Sequence, residues 1–173
     1  MKVRVLHEAG FKEAMLGLSL SYGQEPRGMP PVAEKLLKKG GAHVKFLESI
    51  NVWLDITAPR YWWAQADTYR IGTTKQSGST MHTMTKRELT QDDFQGGMQV
   101  KALLDALNLH IRAKDWYWVK RHLPESFLQR RVVATNYKVL RHIIGQRLHH
   151  KLPEWKEFCL AVHDGVGFPE YLE

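Results

Sequence analysis

The sequence predicts an α+β protein, helix-rich with a few strands, and three observations carry that reading. Apolar and polar residues alternate at the start, where Val3 and Val5 stand between Lys2 and Arg4, and again from Ile50 to Ile56. Val100, Leu103, Leu104, Leu107 and Ile111 recur at i, i+3, i+4, i+7 and i+11, the stripe of an amphipathic helix. The strand signals come early and the helical ones late, which favours α+β over a βαβ alternation.

The elements follow in order. A strand opens the chain, and Phe11 to Leu20 reads as a helix. Tyr22 to Pro31, rich in Gly and Pro, reads as a loop. Pro31 begins a helix over Val32 to Lys39 that Gly40-Gly41 ends. Val44 to Ile56 is a helix running into a strand or a long bent strand, with period 2 favouring strand from Ile50. Pro59 fits a helix start, with a helix closing at Arg70. Ile71 to Thr83, full of Gly, Ser and Thr, reads as a long functional loop. Thr90-Gln91-Asp92-Asp93 has the form of a helix N-terminus with acids in its first turn. Asp115 to Leu123 is a short aromatic helix stopped by Pro124. Arg131 to Ala134 is a strand or a helix lead-in, Asn136 to His150 is helical, and Pro153 opens a last helix through His163 to Gly165.

With 173 residues the chain has the length of one domain (1–173), or one domain with an inserted subdomain. No stretch approaches the roughly 18 apolar residues of a membrane span, and no signal sequence is seen, so a soluble, cytoplasmic protein is expected. The one cysteine, Cys159, forbids an internal disulfide and reads as a small buried hydrophobe. The formal charge of +7 favours anionic partners: nucleotides, acidic cofactors or nucleic acid. His142, His149 and His150 lack an HExxH pattern and suitably spaced carboxylates, so no metal is expected.

Two polar stretches hold the candidate chemistry. The first runs from Gln65 through Arg70 into Gly72, Thr73, Ser77, Gly78 and Ser79. Glycines there let backbone approach a ligand, and hydroxyls and free N–H groups suit phosphate oxygens. It matches neither GxxxxGK[ST] nor GxGxxG. The second is Asn136 to Arg147. On one helix these two residues point the same way, about 16 Å apart, with Leu140 and Ile143 between them. Lys138, His142 and His149 occupy the neighbouring face. A bound phosphate or a partner's carboxylate would satisfy these cations. A solvated Ser/Thr loop and a basic surface helix are the plain alternatives. Trp62, Trp63, Trp116 and Trp118 are candidates for core, subunit interface or base stacking.

Together the stretches resemble the flavin-dependent thymidylate synthases. That family's motif reads S-R-x4-Q-x2-R-H-R-x2-S-x-N-x2-S-x-R. Here Arg60, Gln65 and Arg70 match in type and spacing, Thr73 stands near the first later serine, and Ser77 matches the second if the loop is one residue shorter. Lys120, Leu123 and Pro124 fit R-x2-L-P. Asn136, Lys138, Leu140 and His142 fit N-x-R-x-L-x-H/N, and Arg147 the arginine beyond it. Upstream, His43, Phe46, Leu47 and Glu48 resemble the lead into the family's strand. The similarity is collinear over roughly residues 43 to 165.

The resemblance implies the flavin-dependent thymidylate synthase fold, helix-rich with a small, mainly antiparallel sheet. It also implies FAD as cofactor, methylenetetrahydrofolate and NADPH as co-substrates, and reductive methylation or a related C5 modification of deoxyuridine monophosphate. A homotetramer is implied as well, with Trp62, Trp63, Trp116 and Tyr117 as interface anchors. Arg70, Thr73, Asn136, Lys138 and His142 would hold the flavin. Gln65, Ser77, Ser79, Lys120 and Arg147 would hold the pyrimidine deoxynucleotide, with Ser77 and Arg147 in the catalytic roles. The motif also departs from the family. Thr68 and Tyr69 replace the first arginine and the histidine of R-H-R, Ser79 or Thr80 the last arginine, and Lys120 a substrate arginine. Two lost arginines are worth about two to four powers of ten in affinity. The length and altered motif suit a divergent, phage-like member. A catalytically degenerate nucleotide-binding or regulatory protein on the same fold is the alternative, and a basic nucleic-acid-binding module the third.

Overall fold

A computed structural model describes all residues, Met1–Glu173. Four strands, β1 (Lys2–Ala9), β2 (Asn51–Pro59), β3 (Thr74–Ser77) and β4 (Leu128–Asn136), form a small antiparallel sheet in the order β1-β2-β4-β3. Eight helices accompany it: α1 (Phe11–Tyr22), α2 (Pro30–Lys39), α3 (Arg60–Ala66), α4 (Thr80–Thr83), α5 (Lys101–Arg112), α6 (Trp116–His122), α7 (Tyr137–Arg147) and α8 (Pro153–Gly165). The expected α+β, helix-rich class is what the chain adopts. No helix is long and apolar enough to cross a membrane.

Several boundaries differ from the sequence reading. The loop expected over 71–83 contains β3 and α4, because strand pairing organises a stretch with few apolar residues. Thr90–Asp93 closes only a single 3₁₀ turn, Gln91–Asp93, whose Thr90/Asp93 capping box is complete. Val100, expected on the apolar stripe of α5, sits ahead of that helix and is exposed. Asn136 lies outside α7 and caps it. α3 ends at Ala66 and not at Arg70.

Two compact units divide the chain. One comprises Met1–Lys2, Ile56–Tyr69 and Gln76–Arg131; the other Val3–Asp55, Arg70–Lys75 and Val132–Glu173.

In the first unit, Leu107 and Ile111 of α5 pack with Val119 of α6, Met84, Phe94 and Leu123. Asn108, buried among them, is satisfied on both sides: its Oδ1 accepts from the Leu89 N–H at 2.8 Å and its Nδ2 donates to the Leu89 carbonyl at 3.0 Å. Asp115 caps α6 by accepting from the Trp118 N–H at 3.0 Å. Trp62 and Trp63 are each 1% exposed. They are core, which excludes them as subunit-interface anchors and as base-stacking surfaces. Trp63 is further held by its Nε1–H donating to the Gln129 carbonyl at 3.0 Å. The Arg131 guanidinium lies 4.2 Å over its ring while donating to both Asp67 oxygens at 2.9 and 3.0 Å.

In the second unit, Leu47, Ile50, Leu54, Leu140 and Trp155 are among the most deeply buried side chains. Tyr137, 0% exposed, donates its hydroxyl proton to Glu8 and accepts from the Phe168 N–H at 3.2 Å. Glu8 also accepts from the Gly167 N–H at 2.6 Å, which ties the C-terminal segment to β1. Burial pushes the Tyr137 hydroxyl far above its ordinary range, and the Glu8 carboxylate adds to this, so it stays protonated. Cys159 is buried as expected, and burial pushes its thiol up to about 11.

Two measurements check this packing. Gly10 has φ 98°, and a Cβ there would lie 2.0 Å from the Ser49 carbonyl oxygen, a backbone atom that cannot yield cheaply. Gly10→Ala is expected to cost at least about 3 kcal/mol, read as a Tm lower by roughly 6–12 °C. Asp93 is held below the usual carboxylate range first by its bond from Arg87, then by the Thr90 N–H, against the opposing effect of burial. A depressed carboxylate contributes stability that is present above its unfolded pKa and lost as pH falls through the folded one. Asp93→Asn is therefore expected to be less stable near neutrality and to show a shallower loss between about pH 4 and pH 2 in urea titrations.

Candidate functional site

Six of the sequence-predicted residues, Arg70, Thr73, Asn136, Lys138, His142 and Arg147, lie in the second unit; Gln65, Ser77, Ser79 and Lys120 lie in the first.

In the second unit the site grows from the junction between β4 and α7. The strand ends at Asn136, and its side chain turns back as the helix cap, Oδ1 accepting from the Val139 N–H at 3.0 Å. The Arg70–Lys75 segment lies against this cap. Thr135 donates its hydroxyl to the Gly72 carbonyl at 3.1 Å and meets the Thr73 hydroxyl at 3.2 Å. Gly72 has φ 67°, and a Cβ there would stand 3.0 Å from Val139 Cγ2 and 3.1 Å from Asn136 Nδ2. Only glycine brings the backbone this near the cap.

Gly72, Thr73, Thr135 and Asn136 thus meet, and Arg70 lies two residues before Gly72 in the same segment. The Arg70 side chain is exposed and its guanidinium makes no hydrogen bond or ion pair. Asn136 has its oxygen spent on the cap, which leaves its Nδ2 protons for a ligand. Lys138 differs from expectation. Its partner is internal, since Nζ donates to Glu48 Oε1 at 2.5 Å. His142 is exposed one turn further along α7. Arg147 closes the eleven-residue helix and lies 4.9 Å over the Trp155 ring. It is separated from the Asn136 cap by about 16 Å of helix. The paired-stripe expectation for Asn136 and Arg147 is therefore corrected: one caps the helix, and the other stacks on α8.

In the first unit, Gln65 is half-buried on α3, and its carbonyl accepts the Thr68 hydroxyl at 2.7 Å. Thr68 therefore serves the turn after α3. Ser79 caps α4, its hydroxyl accepting from the His82 N–H at 3.4 Å. Ser77 and Lys120 are exposed and carry no polar partner. Gly78, between the two serines, lines a cavity of about 200 Å3 with Thr80, Thr83, Arg87, Phe127 and Arg130. Arg87 is engaged by Asp93, which raises its already high pKa. Arg60, a motif match, donates to the Leu123 carbonyl at 2.7 Å and pairs with Glu125 at 3.3 Å, so it braces the 123–125 turn.

The sequence reading missed Thr135, Thr83 and Arg87, whereas Arg130 is legible there as part of the basic pair Arg130-Arg131, which suits a phosphate contact. Thr135 had a signal only in hindsight, as the hydroxyl preceding an Asn helix cap. A second cavity, about 240 Å3, is lined by Glu8, Gly10, Lys12, Glu13 and Phe168 and holds none of the predicted residues.

No protein-family model matches the sequence, and no curated protein matches it. Solved structures do match. Two structures of the flavin-dependent thymidylate synthase ThyX from Helicobacter pylori, each with FAD and dUMP, superpose with a TM-score of 0.81 at 17% identity, covering 99% of this chain and 97% of theirs. This chain has the flavin-dependent thymidylate synthase fold.

Proposed function

We propose that the chain binds a flavin and a pyrimidine deoxynucleotide and catalyses reductive methylation, or a related C5 modification, of deoxyuridine monophosphate. Both units then serve one functional domain of 1–173. The observation that carries the reading is the Arg70–Lys75 segment: a glycine pressed against the Asn136 cap, preceded two residues earlier by Arg70, whose guanidinium is exposed and unpaired. The fold shared with proteins that hold FAD and dUMP supports it.

The residues present fit an anionic dinucleotide. Arg70 offers an unspent fork to a phosphate, Asn136 an amide N–H, and Gly72 the space that any Cβ would fill. FAD, when bound, would supply hydride chemistry, with methylenetetrahydrofolate giving the carbon and NADPH the reducing equivalents. The chain's own part is binding and orientation. The unpaired Ser77 hydroxyl and Lys120 ammonium suit a pyrimidine edge and a phosphate. Cys159, 2% exposed with its thiol near 11, is no nucleophile at neutral pH, so C5 must be reached without a thiolate. Assembly as a homotetramer in the cytoplasm belongs to the same reading.

One set of observations favours a second reading, a nucleotide-binding protein without turnover. Thr68 is turned onto the Gln65 carbonyl, Lys138 is neutralised by Glu48, and Ser79 or Thr80 stands at the family's last arginine position. An absorbance spectrum separates the two. A yellow protein with near-stoichiometric flavin bands supports the enzyme, and Arg70→Ala is expected to lower flavin affinity about tenfold or more. A colourless protein that still binds dUMP supports the second reading. Thr68→Arg with Ser79→Arg is expected to tighten dUMP binding by at least about tenfold in calorimetry. Unchanged affinity would remove the altered motif from the nucleotide site.

A further inference from the structure

We infer that the outer face of α6 is a docking surface for single-stranded nucleic acid, read by base stacking and phosphate neutralisation. Three adjacent aromatics lie on this short helix, and the structure treats them differently. Trp118 has both ring faces occupied: His110 stacks on it at 3.8 Å and His122 at 3.9 Å. Trp116 and Tyr117 are 40% and 58% exposed, in an edge-to-face pair at 5.7 Å. Exposed neighbouring aromatics on a helix are unusual unless something covers them.

The charges around the pair choose the occupant. The Arg121 guanidinium lies 5.5 Å over the Tyr117 ring, leaving its N–H groups free to reach a phosphate. Lys120 is exposed and unpaired beside it. Asp115, the nearby acid, is spent: one oxygen caps Trp118 and the other meets His110 at 3.1 Å. A second copy of this chain would bring its own Lys120 and Arg121 against these, in a protein already carrying +7. A polyanion with exposed π-faces complements both halves of the surface, and a strand with unpaired bases offers both. The inference does not rest on the flavin reading.

The test is fluorescence anisotropy with the full chain and labelled oligo-dT and oligo-U of roughly fifteen nucleotides, over a salt series. Expected is binding of at least one of these strands, tighter than to duplex DNA of the same length. Affinity should fall with salt, and tryptophan emission should be quenched. A tighter hold on dT or on U names DNA or RNA as the source. Trp116→Ala with Tyr117→Ala is expected to weaken binding at least tenfold with the salt slope kept, whereas Arg121→Ala flattens the slope by about one ion. Trp116→Phe should retain binding, and far-UV circular dichroism should show all variants folded. The flavin content of the double variant should equal that of the parent, so loss of strand binding is separable from failure of the enzymatic reading. The inference is overturned by no strand binding at about 50 mM salt, by equal binding of the double variant, or by a double variant whose only change is oligomeric state, which would make the face a self-association surface.

Discussion

The Asn136 cap is the constraint from which the candidate site follows. A strand-to-helix junction must satisfy the orphan N–H groups of the helix, and here a side-chain oxygen does so at Val139. That fixes the amide plane and aims its nitrogen at the 70–75 segment. Gly72 can then approach because it lacks a Cβ, and the Thr135 hydroxyl holds its carbonyl. Replacing either partner removes one of the contacts that hold the segment against the cap. The backbone chemistry at the junction thus places the segment that carries Arg70, and Thr73 is held in addition by its hydroxyl's contact with Thr135.

A comparable economy appears around Tyr137, the residue immediately after the cap. Its hydroxyl bridges Glu8 on β1 and the Phe168 N–H, while its own N–H donates to the Ile50 carbonyl at 3.0 Å. One buried side chain thereby links the first strand, the start of α7 and the C-terminal segment. The phenol's polar atoms all have partners, which is the condition for burying it against a half-buried carboxylate.

Much of the fold was legible because hydrophobic periodicity reports burial directly. The Leu103–Ile111 stripe, the Ile50–Ile56 alternation and the Gly40-Gly41 stop each correspond to an element. The misses share a physical cause. β3 is exposed along most of its length and leaves no apolar pattern, so only pairing with β4 reveals it. Asn136 was placed inside the helix because a cap and a first-turn residue differ by one backbone angle that composition does not encode. At the site, residue types were legible but their commitments were not. Lys138 and Thr68 look available in sequence, yet Glu48, ninety residues away, and the local turn take them up. Trp62 and Trp63 were ambiguous for the same reason, since an aromatic pair reads alike at a core and at an interface.

These commitments explain how the fold survives at 17% identity to the matched structures. The positions that hold the architecture are buried and fully bonded: Asn108 on Leu89, Trp63 on Gln129, Tyr137 on Glu8. The positions that depart from the resembling motif are different in kind. Thr68 and Ser79 are exposed, and Tyr69 and Thr80 are half-buried. An exposed arginine that serves only a ligand contributes little to stability when the ligand is absent, so its replacement is nearly free for folding. The residue type at such a position is therefore decided by a ligand and not by the fold. Arg70 leaves its guanidinium uncommitted two residues before Gly72, whereas the Thr68 hydroxyl is bound to the Gln65 carbonyl, so the two positions differ in what the fold leaves open to a ligand.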